Sequence, residues 1–162
     1  MSKKNNTLLV KKVTDTILSA LPHNKHFPVL CEMFDFASIT NFKQTIHELI
    51  DIDQMHIFGI SAEMQTILKH LKELNMLGHI SNIRQHLQEK YQELHNKTVV
   101  LIKVSEKNRT SLHDIIASIK AKIGKECEFV YIPSNIAGIT IQFNDQIIQY
   151  TPSQIAKQMK AV

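Results

Sequence analysis

Two hydrophobic periods divide this chain, and the change from one to the other falls at His95-Asn96-Lys97. Before it, apolar residues recur every three or four positions, the spacing of one helix face. After it comes Thr98 to Val104, TVVLIKV, a near-continuous apolar and β-branched run with the length of a central strand. One packing scheme cannot satisfy both periods. The chain therefore reads as a helical bundle domain over residues 1–96 followed by a small α+β domain over residues 97–162.

The helical part is predicted to hold four or five amphipathic helices joined by short loops. Leu9, Val10, Val13, Ile17 and Leu21 mark one face, with Thr7 as N-cap and Pro22 as a stop. PHNKHFP then reads as a turn between two prolines, before a short helix carrying Val29, Leu30, Met33 and Phe34. Ser38 or Thr40 can cap a third helix that buries Phe42, Ile46, Leu49 and Ile50, and residues 51–59 read as irregular. Ser61 opens a longer helix with Met64, Ile67, Leu68, Leu71 and Leu74 inward, and Gly78 is placed as its left-handed C-terminal residue. Ile80, Ile83, Leu87, Tyr91 and Leu94 form the last stripe.

In the second part a helix is predicted from Leu112, Ile115, Ile116, Ile119 and Ile123, closed by Gly124, and a second strand from Cys127 to Ile132. Ile139, Ile141 and Phe143 alternate with polar residues as in a half-buried strand, and Asn144-Asp145 makes a two-residue turn into Ile147, Ile148 and Tyr150. Thr151-Pro152-Ser153-Gln154 carries the marks of a capping box opening a terminal helix that buries Ile155 and Met159. The expected unit is a small mixed α/β domain with a β-hairpin and a terminal helix.

The chain offers little for catalysis. Its 43% apolar content suits a packed globular protein, and the apolar run in MSKKNNTLLVKK is too short for a signal peptide or a membrane span. The nine histidines form no HExxH or HxH motif, although His79 and His86 could share a helix face and His23-x-x-His26 lies near Cys31. No metal or cofactor is expected. Cys31 and Cys127 are far apart and flanked by apolar residues, which suits free thiols in a reducing compartment. Cys127 reads as an inward strand residue rather than a nucleophile. Glu63, Glu73, Glu89 and Glu93 lie beside lysines, where i,i+4 pairing accounts for them.

A formal charge of +4 permits an anionic partner. Lys97, Lys103, Lys107, Arg109, Lys120, Lys122 and Lys125 could furnish a nucleic-acid face, and a small basic nucleic-acid-associated module is the alternative reading. The interleaved exposed aromatics that stack single-stranded bases are missing, so no nucleic acid is expected.

The segment VYIPSNIAGITIQFNDQIIQYT resembles the C-terminal signature of the delta subunit of F-type ATP synthases, the oligomycin-sensitivity-conferring protein family. Pro133, Ser134, Ile136 and Gly138 match, Ala137 replaces the first glycine of a pair, and Thr151 stands where a serine is expected. Gln149 replaces the usual aspartate and Ile132 an acidic residue. The resemblance implies a non-catalytic stator subunit of a proton-translocating enzyme, peripheral on the cytoplasmic face of the bacterial inner membrane without inserting into it. It further implies a helical domain that grips N-terminal segments of the alpha subunits, a C-terminal domain that engages b-type stalk subunits, and no small-molecule substrate. Pro133, Ser134, Ile136, Gly138 and Thr151 would then be architectural.

Overall fold

The computed structural model describes residues 3–36, 39, 41–105, 112–124, 126–134, 137–151 and 153–154. The order of elements is α1 (Lys3–Ala20), α2 (His23–Asp35), α3 (Phe42–Asp51), α4 (Ala62–Glu73), α5 (Ile80–His95), β1 (Thr98–Val104), α6 (Leu112–Ile123), β2 (Cys127–Pro133), β3 (Ile139–Phe143) and β4 (Gln146–Tyr150). Short 3-10 turns at Met55–Phe58 and Leu77–His79 precede α4 and α5. Helices followed by a strand-containing domain is the fold class that the two periods predict. By contacts the chain falls into two compact units, Met1–Tyr91 and Gln92–Val162. The division lies inside α5, a few residues before the change of hydrophobic period.

In the helical unit the buried side chains are those at helical spacing. Val10, Val13 and Ile17 of α1, Val29, Leu30 and Met33 of α2, Met64, Leu68 and Leu71 of α4, and Ile83, Leu87 and Tyr91 of α5 are all buried. Several boundaries differ from expectation. Helix α1 starts at Lys3, so Thr7 lies inside it. A threonine caps only where the preceding chain leaves the helix, and here Lys3–Asn6 continue it; Thr14 and Thr16 sit in the same helix by donating to the i−4 carbonyls of Val10 and Lys12, at 2.8 and 2.9 Å.

PHNKHFP is not a turn. Pro22 is the N-cap of α2, and Pro28 lies within that helix, where its ring removes the N–H that would have reached the Asn24 carbonyl. His26 serves the other side of the junction. Its buried Nε2 lies 3.0 Å from the Leu18 carbonyl and 3.3 Å from that of Leu21, at the end of α1 whose carbonyls lack helical partners.

The end of α4 corrects a second expectation. Gly78 has no left-handed backbone; Asn75 does, at φ 56°. The Asn75 N–H donates to the Lys72 carbonyl at 3.0 Å and the Met76 N–H to that of Leu71 at 2.8 Å, the paired bonds of a Schellman motif. Met76 and Leu71 are both buried, completing it. The same arrangement ends α3, where Asp53 has φ 53°, Asp53 N–H donates to Ile50 at 3.1 Å, and Gln54 N–H to Leu49 at 2.9 Å. Asn96, at φ 51°, ends α5, with Lys97 N–H donating to the Gln92 carbonyl at 3.2 Å. Leu74, the C-cap residue of α4, is 42% exposed and Leu94, in the last turn of α5, 52% exposed, against the expectation that both face inward.

At the start of α4, Ser61 caps as predicted, its Oγ accepting from the Met64 N–H at 3.2 Å. Asn41, left-handed and without a side-chain cap bond, precedes α3, while Ser38 and Thr40 lie outside the described residues. Ile46 and Leu49 of α3 are buried, and Phe42 and Ile50 only half so.

The second unit contains a four-stranded sheet in the order β2-β1-β3-β4. β1 pairs in parallel with β2, from Thr98 opposite Cys127 to Val104 opposite Pro133, and antiparallel with β3, Ile102 opposite Ile141. β3 and β4 form a hairpin in which Phe143 faces Gln146 across Asn144-Asp145; only Asn144 takes a positive φ, 50°. Because side chains alternate, one face collects Val100, Ile102, Val104, Ile139, Ile141 and Phe143. Leu112, Ile115 and Ile119 of α6 cover that face, giving one core. β1 and α6 have the bounds that their sequence patterns predict, and Gly124 ends α6 at φ 68°. Of the terminal helix, residues 153 and 154 are described as helical, and Ile155 and Met159 lie outside the described residues.

Candidate functional site

The signature residues sit around the connection from β2 to β3 and at the exit of β4. Pro133 is the last residue of β2, opposite Val104, where its missing N–H interrupts no further pairing. The Ser134 N–H donates to the Val104 carbonyl at 3.1 Å, carrying the parallel ladder one step past the proline. Gly138 is buried at φ 106° immediately before β3, a conformation that L side chains rarely adopt. Ile136 lies outside the described residues. At the end of β4, the Thr151 Oγ1 accepts from the Gln154 N–H at 3.3 Å, and the Gln154 Oε1 accepts from the Thr151 N–H at 2.8 Å. These are the two reciprocal bonds of a capping box.

Among the side chains considered for chemistry, His23 and His26 lie close together, with ring centroids 5.1 Å apart. Cys127 is half-buried against the sheet core, and burial pushes its thiol above the usual range despite the nearby Lys120 cation, so the reactive thiolate is disfavoured. Glu63 lies 3.6 Å from Lys25 of α2 and Glu89 lies 3.5 Å from His86, so these two glutamates make a cross-helix contact and an i,i+3 one where i,i+4 pairs with lysine were expected. Three of the named basic residues have separate surroundings. Lys97 pairs with Glu128 at 2.8 Å, Lys120 lies 5.6 Å from the Phe129 ring centroid, and Lys103 is exposed on the sheet face away from α6. Lys107, Arg109 and Lys125 lie outside the described residues.

His79 and His86 are brought together, as their spacing allows, but in a groove rather than a ligand cluster. With Asn82 they face Asn6, Thr7 and Val10 of α1 across a cavity of about 340 Å³. On α1, Leu8 is 69% exposed. This groove was not foreseen from the sequence, because two helices must pack before a channel exists between them. Its only linear trace is the run of uncharged polar residues at the start of α1. A second exposed apolar group stands at Ile52, Ile57 and Phe58, each more than 60% exposed, around the 3-10 turn before α4. Among the described residues no helix is long and apolar enough to cross a membrane.

The family model for the ATP synthase delta (OSCP) subunit matches residues 36–161, taking in α3, α4 and α5 of the five N-terminal helices, together with α6 and the sheet. No curated protein matches the chain. A match over most of the chain, together with a helical part leading into a mixed sheet, establishes the relationship: the chain belongs to the ATP synthase delta (OSCP) subunit family, whose members are non-catalytic subunits of the peripheral stalk.

Proposed function

We propose that this protein is the stator link of a rotary ATP synthase, joining the catalytic headpiece to the b-type stalk and resisting the torque of the rotor. The observation that carries the reading is the family match over residues 36–161. The groove between α1 and α5 supports it, since a channel between two helices is a seat for a third, amphipathic one. In this reading the helical domain, residues 1–96, takes N-terminal segments of alpha subunits along Asn6, Val10, Asn82 and His86. The α+β domain, residues 97–162, engages the end of the b-type stalk. Pro133, Ser134, Ile136, Gly138 and Thr151 hold the shape of that second domain and touch no ligand. The assembly is peripheral on the cytoplasmic face of a bacterial inner membrane, and proton flow passes through other subunits.

Stator function requires rigidity more than chemistry. A torque-bearing link must keep its shape under load, which the single core of α6 on the sheet and the capped helix ends both favour. Affinity-tagged protein expressed in its own host is expected to co-purify with headpiece and stalk subunits after mild solubilisation of membranes. Recovery of neither refutes the reading. Peptides of the alpha-subunit N-terminus are expected to perturb residues 6–10 and 79–86 in preference to the sheet.

A further inference from the structure

A second, smaller cavity, about 180 Å³, opens on the helical unit where the end of α2, the start of α3 and the first turns of α5 meet. Met33, Phe36, Phe42 and Ile80 give it apolar walls, and Phe36 and Phe42 lie with ring centroids 5.1 Å apart. Its polar lining comes from Ser81 and Arg84. The Arg84 guanidinium carbon lies 4.7 Å from the centroid of the buried Phe34 ring, so one face of the cation rests on an aromatic. Its Nε is buried and has no hydrogen-bond partner among the described residues. No carboxylate forms an ion pair with it there, and burial pushes its pKa below the usual arginine range.

A guanidinium is a donor with no acceptor capacity, and a buried N–H without an acceptor is unfavourable unless something arrives to accept it. We propose that this cavity is a socket for an acidic side chain carried on an apolar segment of a partner protein, the carboxylate accepting from the Arg84 guanidinium and the flanking residues covering Phe36 and Phe42. Charge complementarity selects the carboxylate, and the small volume limits it to one side chain. The apolar walls select the flanks. A free anion would meet one guanidinium and a hydroxyl among hydrophobic groups, too few donors to replace its hydration. A partner segment gains contact area on either side of the same charge. This inference goes beyond the stator reading and stands without it, because it rests on the cavity and on Arg84 alone.

The test follows the Arg84 Nε–H resonance of the full chain by nitrogen-edited NMR, with acetyl-Leu-Glu-Leu-amide as the probe. The glutamate peptide is expected to shift that resonance and those of Phe42 and Ile80, at a concentration at least tenfold below that needed by the glutamine peptide, sodium acetate or inorganic phosphate. Arg84→Lys is expected to lose the tenfold preference while the dispersion of the remaining spectrum is kept. Equal response to acetate or phosphate makes the site an ion site and overturns the proposal. Equal response to the glutamine peptide reduces it to an apolar contact and overturns it as well, as does silence of the Nε–H with the glutamate peptide. Should Arg84→Lys fail to fold, the four probes on the unaltered protein still decide.

Discussion

The helical unit settles its geometry at the ends of its elements, whereas the sheet unit settles it in the middle. Helices α3, α4 and α5 each stop on an Asp or Asn in left-handed conformation, and two of these stops carry both bonds of a Schellman motif. Moving such a stop would change where, and in which direction, the chain leaves the helix. In the sheet unit β1 is paired on both sides, and its alternation assigns Val100, Ile102 and Val104 to the α6 face whatever happens at the strand ends. The helical unit is thus specified by a few backbone positions with unusual torsions, and the sheet unit by many side chains of the same kind.

That contrast is open to direct attack, beginning where the effect should be greatest. Ile102→Ala in the sheet and Leu68→Ala in α4 both remove fully buried side chains, and each is expected to cost about 2–5 kcal/mol by denaturant titration. If the sheet is specified through its middle, Ile102→Ala should lower amide protection along both β1 and β3, whereas the loss from Leu68→Ala should be largest in α4. Equal and chain-wide losses from the two would break the comparison. Gly138→Ala places a side chain at φ 106° and is expected to destabilise by roughly 1–3 kcal/mol, with the register of β3 against β1 unchanged in NOE patterns.

A smaller effect separates the helix ends from their neighbours. Asn75→Ala is expected to cost about 1 kcal/mol, because a Cβ without a local polar side chain resists the left-handed region, while Asn75→Gly should match or slightly exceed the parent in stability. Gly78→Ala should change little, since its backbone is not left-handed and an added Cβ would meet only the Lys43 side chain, at 3.8 Å. The smallest expected change is in reactivity. Iodoacetamide at pH 8 should label Cys127 in the folded protein several-fold more slowly than in urea, because burial raises the thiol and shrinks its thiolate fraction. The two rates being equal would place Cys127 outside the core.

The sequence revealed β1 and α6 to the residue because apolar runs of β-branched type and a three-four stripe closed by glycine each have one interpretation. It also revealed the capping box at Thr151, where two polar residues three apart bond each other. Helix ends were less legible. Asn75, Asp53 and Asn96 are the sites of left-handed turns, but Asn and Asp also serve as N-caps and surface residues, so glycine drew the assignment to Gly78 instead. Pro28 reads as a boundary in the sequence because a proline usually is one, and its place inside α2 depends on packing that a linear pattern does not contain. The cavities are less legible still. Asn6 and His86, or Phe42 and Arg84, are brought together only by tertiary contact, and the signature around Gly138 identifies the family without touching either cavity.

The central place of β1 has a consequence in time. Both of its partners follow it in the chain: β2 ends 29 residues beyond Val104, and β3 ends 39 beyond it, counting from 104 to 133 and from 104 to 143. At synthesis rates of roughly 5–20 residues per second, TVVLIKV would wait on the order of seconds for a neighbour, as an apolar strand with both edges open. Lys103 is the one charge in that run, and it projects from the face that α6 leaves uncovered. A cation in the middle of an otherwise aggregation-prone heptapeptide costs the folded sheet little and keeps nascent copies of the strand from pairing with one another.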